Sequence, residues 1–182
     1  MIMNLLDSSL DGYIVSVKKG GARNHILDRS GNEIGVVLQK QISDRYKISL
    51  ETDGSVLCTV DASLVGSRYL YVAKFPDSKI MGRVKQSSVP FRDCFDWYDS
   101  EGEKVFRAQS KSATWEFHII DSKKKKHIYA EIKKLNKFGE VLISEISKDD
   151  YAITIIDRKA SRLTLLVFAI IIIANFHKHP IM

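Results

Sequence analysis

The chain has 182 residues, a length that suits about one domain and can bury a real hydrophobic core. Hydrophobic residues make up 45% and charged residues 27%, which excludes a wholly disordered chain and a multi-span membrane protein. The net charge is +6. We therefore expect residues 1–182 to form a single domain.

The first feature along the chain is a repeat of short β-rich runs that occur in pairs around a turn. Each turn contains an aspartate, and successive turn aspartates are 22 to 25 residues apart. Asp and Gly at such positions favour the tight turns of β-hairpins. The sequence therefore predicts five hairpins over 25–38, 46–60, 69–86, 91–109 and 114–133, with turn aspartates Asp28, Asp53, Asp77, Asp99 and Asp121.

Within these runs the side chains alternate between apolar and polar. Tyr46, Ile48 and Leu50, for example, alternate with polar neighbours, which indicates a sheet with one dry face and one wet face. A final pair of runs, 138–146 and 151–156, brings the count to about twelve strands with no helical pattern between them. This regularity predicts an antiparallel sandwich or a closed barrel.

The carboxy-terminal segment breaks this pattern, because residues 163–176 are apolar on every side of a helix. Ser161 is a suitable N-cap, so we predict a helix over 161–176. A fourteen-residue helix spans about 21 Å, which is short of the ~30 Å core of a bilayer. A helix about 10 Å across would fill the bore of a twelve-stranded barrel. The prediction is therefore an all-β fold with one helix, a closed antiparallel barrel of about twelve strands around a buried hydrophobic helix; the alternative is a membrane span.

Candidate chemistry is sparse. Cys58 and Cys94 lie in strand-like runs and are expected to be buried free thiols. The amino terminus has no signal-peptide pattern, so the cytoplasm is the expected compartment. His25, His118 and His127 fall in separate hairpins, and no catalytic motif or zinc-type spacing accompanies them. We expect no enzymatic activity, no cofactor and no metal.

The succession of hairpins with Asp-x-x-Gly turns, then Phe138-Gly139-Glu140-Val141, then Asp150-Tyr151-x-Ile153 and an apolar terminal helix, resembles the tubby C-terminal-like superfamily. Within it, the chain is most similar to the phospholipid scramblase and LURP-one-related branch. The resemblance implies a twelve-stranded barrel around the helix and a non-enzymatic, membrane-associated role. Tubby-like domains bind phosphoinositides, and scramblases move lipids in response to calcium.

The calcium site that this resemblance suggests is incomplete here. The matching stretch runs from Ser147 to Ile153, with Ser147 in place of the family's first aspartate. Calcium takes six to eight oxygen ligands, usually several carboxylates. Asp149 and Asp150, beside Lys148, are therefore expected to form a solvated turn.

The sequence's main candidate for binding is a basic patch between Asp121 and Glu140, where seven lysines and three acidic residues give +4 of the total +6. A solvated turn is one interpretation, and an anionic-lipid surface is the other. No aromatic or aliphatic anchor accompanies the lysines, and nearby Tyr129 and Phe138 are expected to pack inward. No nucleic-acid-binding motif is present, so lipid is the favoured partner. The seven predicted binding residues are Lys123, Lys124, Lys125, Lys126, Lys133, Lys134 and Lys137.

The leading functional hypothesis is peripheral binding to anionic phospholipid or phosphoinositide headgroups through this patch, at a membrane surface in the cytoplasm. The alternative is a cytoplasmic protein-interaction or scaffold module with a protein partner and no lipid role. A weaker alternative is a membrane-inserted scramblase that uses Leu163 to Phe176 as its span.

Overall fold

The computed structural model describes residues 4–17, 22–42, 45–89, 92–111, 116–135 and 150–178. They form twelve β-strands and one α-helix. The first six strands are β1 (Gly12–Ser16), β2 (Arg23–Leu27), β3 (Glu33–Ile42), β4 (Arg45–Thr52), β5 (Ser55–Val65) and β6 (Arg68–Lys74). The remaining elements are β7 (Ile80–Val89), β8 (Arg92–Asp99), β9 (Lys104–Ser110), β10 (Glu116–Asp121), β11 (Ile128–Lys134), β12 (Tyr151–Ile155) and α1 (Arg162–Lys178).

The strands form one closed antiparallel barrel in which each strand pairs with its neighbours in the chain, and β1 pairs with β12 to close the ring. Strands β2 to β11 are the ten strands of the five predicted hairpins, so that prediction is confirmed. Strand β1 was not predicted; in register, its Tyr13 lies opposite Ile153. The predicted strand at 138–146 lies outside the described residues.

The hairpin turns lie together at one end of the barrel, which we call the hairpin end. In four of them an aspartate Oδ1 accepts a backbone N–H from its own turn. Two of the four share one pattern, in which Asp28 accepts from Ser30 and Asn32 and Asp99 accepts from Glu101 and Glu103. Each of these two turns places a glycine at positive φ, 87° for Gly31 and 88° for Gly102. This is a three-residue hairpin loop, for which glycine is the favoured residue at that position.

Every one of the five hairpins carries a β-bulge on its second strand, close to the turn. In the first hairpin, Ile26 lies opposite Gly35 and Leu27 opposite Glu33, which leaves Ile34 as the extra residue. The five extra residues are all apolar or aromatic, lie 23 or 24 positions apart, and pack against the core. Because a bulge bends its strand and increases its twist, the repeat curves the sheet five times in the same sense. The extra residues are Ile34, Leu57, Met81, Val105 and Tyr129.

Helix α1 fills the bore of the barrel, as predicted. Its side chains from Leu165 to Ile173 are each at most 4% exposed. The Ser161 hydroxyl accepts the Thr164 N–H at 3.3 Å, so the predicted N-cap is confirmed. Within the described part of the chain, no helix has both the length and the apolar character that crossing a bilayer requires.

Polar groups fix both ends of the helix. At the hairpin end, the Arg162 guanidinium donates to the Leu10 carbonyl and to the Tyr13 hydroxyl, while Tyr13 donates to the Leu5 carbonyl at 2.6 Å. At the other end, the Tyr71 hydroxyl donates to Asn175 Oδ1 at 2.8 Å. The amino-terminal segment thus covers the hairpin end of the bore, and Leu5 within it is fully buried.

We expect Gly82→Ala to lower the free energy of unfolding by about 1–3 kcal/mol. A Cβ at this position would lie 2.5 Å from the buried Trp97 indole, whose ring contacts Phe168 of the helix at a centroid distance of 5.6 Å. Urea unfolding monitored by circular dichroism measures the loss. Trp97→Phe makes room for the methyl group, so the double variant should be more stable than the sum of the single effects indicates. Strictly additive effects would contradict the close approach of Gly82 to Trp97.

Candidate functional site

Four of the predicted lysines, Lys123 to Lys126, lie together at the tip of the β10–β11 hairpin. All four are exposed. Across the described ranges, no carboxylate oxygen lies within 4.0 Å of any of their ammonium groups. The tip therefore carries four charges that no ion pair with a described residue neutralises.

Asp121 shapes the turn that presents these lysines. Its Oδ1 accepts the backbone N–H groups of Lys123 at 2.8 Å and Lys124 at 2.7 Å, and its Oδ2 accepts the Tyr129 hydroxyl at 2.8 Å. These hydrogen bonds, led by the one from Lys124, lower the pKa of Asp121 below its ordinary value. The carboxylate is therefore ionised at neutral pH and occupied by the turn, which leaves the lysine side chains to solvent.

A second basic segment lies beside this tip, in the connection between β12 and α1. His127 Nε2 is 2.6 Å from Asp157 Oδ2, and the Asp157 N–H donates to the Tyr129 carbonyl at 3.1 Å. Arg158 and Lys159 follow and are exposed. We call the six cations Lys123, Lys124, Lys125, Lys126, Arg158 and Lys159 the basic tip surface.

The basic tip surface has an apolar neighbour that the sequence did not indicate. Ile156 is 48% exposed, and its N–H donates to the Tyr129 carbonyl at 2.9 Å, which fixes it next to the β10–β11 hairpin. An exposed branched aliphatic side chain beside cations is the arrangement of an interfacial anchor. An exposed aliphatic side chain thus does lie beside the lysines, and it comes from a segment about thirty residues later in the chain.

A groove of about 520 Å³ extends from the lysines along the outer wall of β9, β10 and β11. Lys125 and Lys126 line one part of it, Ile120 and Ile128 supply apolar surface, and His118 lines it further along. Its lining therefore combines positive charge with an apolar surface.

Two further predicted lysines do not share this surface. Lys133 and Lys134 lie at the other end of β11, seven or more residues from Lys126, which corresponds to roughly 20 Å along a strand. Lys133 Nζ lies 3.6 Å from carboxylate oxygens of both Glu116 and Glu131. Lys137 lies outside the described residues.

Tyr129 and the two cysteines lie in or against the core. Tyr129 is partly buried, with its ring 4.9 Å from that of Phe106; Phe138 lies outside the described residues. Cys58 and Cys94 are buried free thiols, as predicted, and burial raises the pKa of Cys58 to about 12.

The expectation of a solvated turn at Asp150 is wrong, because Asp150 is fully buried and its Oδ1 accepts the Val17 N–H at 3.1 Å. It joins the ends of β1 and β12, where an unpaired backbone N–H would be costly. Asp149 and the rest of the calcium-like stretch before it lie outside the described residues.

Comparisons with known proteins identify the fold and no more. The X-ray structure of a protein from Arabidopsis thaliana superimposes with a TM-score of 0.58 at 12% sequence identity, covering 94% of this chain and 96% of that chain. At this identity the likeness shows a shared fold only. No family model matches the chain, and no curated protein matches it.

We expect the Asp121 turn to make stability depend on pH. The folded state lowers the pKa of Asp121, so its stabilising contribution is present above the ordinary carboxyl pKa of about 3.9 and is lost as pH falls through the lower folded value. Asp121→Asn should therefore reduce stability at pH 7 and flatten its dependence on pH between about 5 and 2. Thermal melts across this range measure both effects.

An Asp53→Asn variant is the control, since it changes a turn aspartate at another hairpin tip. If Asp121→Asn and Asp53→Asn showed the same pH profile, the role of Asp121 in ordering the lysine turn would be contradicted.

Proposed function

We propose that the protein binds anionic phospholipid surfaces peripherally, with the hairpin end of the barrel toward the membrane. The observation that carries this proposal is the basic tip surface: six exposed cations on two adjacent connections, with the exposed side chain of Ile156 beside them. A lysine near an anionic membrane contributes about 1 kcal/mol at physiological salt. Even partial engagement of six cations gives useful, reversible binding.

The architecture supports this orientation. Five hairpin turns and the β12–α1 connection end on one side of a rigid barrel, so their tips can approach a flat surface together. Helix α1 is buried among the strands and does not need to leave the bore for such contact. Binding would therefore involve headgroups and the interfacial layer.

The finer family assignment is part of the same proposal. We propose that the chain is a LURP-one-related, scramblase-like member of the tubby-like superfamily, with no enzymatic activity. Support comes from the ordered hairpins, the terminal helix and the fold shared with the Arabidopsis thaliana protein. Phosphoinositide headgroups are among the anionic lipids to be tested, and the cytoplasmic face of a membrane is the proposed location.

We expect Lys125→Glu/Lys126→Glu to weaken binding to phosphatidylserine-containing vesicles by at least roughly thirtyfold, because the loss of two favourable charges of about 1 kcal/mol each accounts for that factor and the two glutamates add repulsion. Co-sedimentation with vesicles of phosphatidylcholine alone, or with added phosphatidylserine, measures this at low and at physiological salt. Parent binding should require the anionic lipid and should weaken as salt increases.

The control is Lys40→Glu/Lys47→Glu, which makes the same charge change at exposed residues of β3 and β4 that lie directly opposite each other. If both double variants lost binding equally, net charge alone would be responsible. Failure of the parent chain to bind any anionic vesicle would overturn the proposal and favour a scaffold role with a protein partner.

Ile156 should supply the part of vesicle binding that resists salt. We expect Ile156→Ser to reduce binding several-fold at high salt, where charge attraction is screened, and to change it less at low salt. Val65→Ser is the matched control, since Val65 is 62% exposed at the opposite end of the barrel. Equal losses in the two variants would argue against insertion at the hairpin end.

A further inference from the structure

A cluster of possible metal ligands lies on the outer wall of the barrel, and one of its residues, His118, also lines the groove that begins at the basic tip surface. Glu116 and His118 are two residues apart on β10, so both side chains are on the same face. Glu131 of β11 is directly opposite His118 in register. Each of the three offers one ligand atom, and the three atoms lie within 4.8 Å of one another.

The two distances from His118 to the carboxylate oxygens suit a tetrahedral ion. His118 Nε2 is 3.2 Å from Glu116 Oε1 and 3.4 Å from Glu131 Oε1. Zinc bonds of about 2.05 Å in a tetrahedron separate neighbouring ligand atoms by about 3.3 Å. Without a metal, the imidazole can hydrogen-bond these carboxylates at the same distances, so little rearrangement separates the two states.

A cation already lies against these carboxylates. Lys133 Nζ is 3.6 Å from Glu116 Oε1 and 3.6 Å from Glu131 Oε2. The ammonium neutralises part of the carboxylate charge, and its side chain is 53% exposed, so it can swing into solvent. Lys111 Nζ lies 4.0 Å from Glu116 Oε1 on the other side of that residue.

We propose that Glu116, His118 and Glu131 form a divalent transition-metal site, and that a bound ion such as Zn²⁺ displaces the Lys133 ammonium. One imidazole and two carboxylates are ligands that Zn²⁺ accepts, and three protein ligands leave a fourth position for water. The ligands lie on two paired strands, which hold their backbone positions. This cluster distinguishes His118 from His25 and His127, each of which lies against a single described carboxylate residue.

The test is isothermal titration of the full-length, untagged chain with Zn²⁺ alone. His177→Ala/His179→Ala is used as the parent, because these two imidazoles near the end of the chain could bind zinc themselves. We expect one saturable ion per chain. His118→Ala and Glu131→Gln should each lower the affinity at least about tenfold, since loss of an outer-shell partner alone costs that much.

Lys133→Met should raise the affinity several-fold, because it removes the competing ammonium and keeps the length of the side chain. A gain in affinity cannot arise from misfolding. For the variants that should lose affinity, thermal melts without metal show whether they are still folded. His25→Ala is the matched control and should bind as the parent does. No saturable binding by the parent, or equal affinity in the parent and His118→Ala, would overturn the site. An unchanged affinity in Lys133→Met would overturn displacement of the ammonium.

Discussion

The whole structure depends on burying one helix that is apolar on every side. Such a helix has no face that suits water, so it requires an apolar container around its full circumference. Twelve strands provide a bore of suitable width, and their inward side chains supply the second half of the core. The dependence is mutual, since a barrel of this size without its helix would enclose an empty apolar cavity.

The hairpins and the helix could be predicted because their signals are local. Alternating side chains and regularly spaced turn aspartates identify each hairpin within about twenty residues. Strand β1 carries the same kind of residues, but its connection to β2 has no turn aspartate and its other partner, β12, is distant in the chain, so the hairpin signal does not mark it. The bulges are also hidden, because an extra residue such as Leu57 is visible only when the register of two strands is known. The hydrogen bond from the Arg162 guanidinium to the Leu10 carbonyl joins segments far apart in the chain, so it too has no local signal.

In the candidate site, too, the local features could be predicted and the contacts between distant segments could not. The lysine run at 123–126 is evident in the sequence, and the structure places it at a hairpin tip as expected. Counting Lys133 in the same patch neglected the length of β11, and the side chain of that lysine faces Glu116 and Glu131 instead. The position of Ile156 beside these lysines depends on the pairing of β11 with β12, two strands that are far enough apart in sequence to hide it. Spacing along the chain therefore predicted the positive charge at residues 123–126. It could not predict which residues from other strands lie beside that charge.

The closing pair β1–β12 has a consequence for biosynthesis. The first strand described must wait for the last one before the ring can close, and the helix that fills the bore follows later still. While the chain leaves the ribosome, hairpins can form one by one, but their apolar inner faces have nothing to cover them. Closure also joins segments far apart in sequence, which slows folding. The inner faces of the early hairpins therefore stay uncovered until β12 and α1 have both been synthesised.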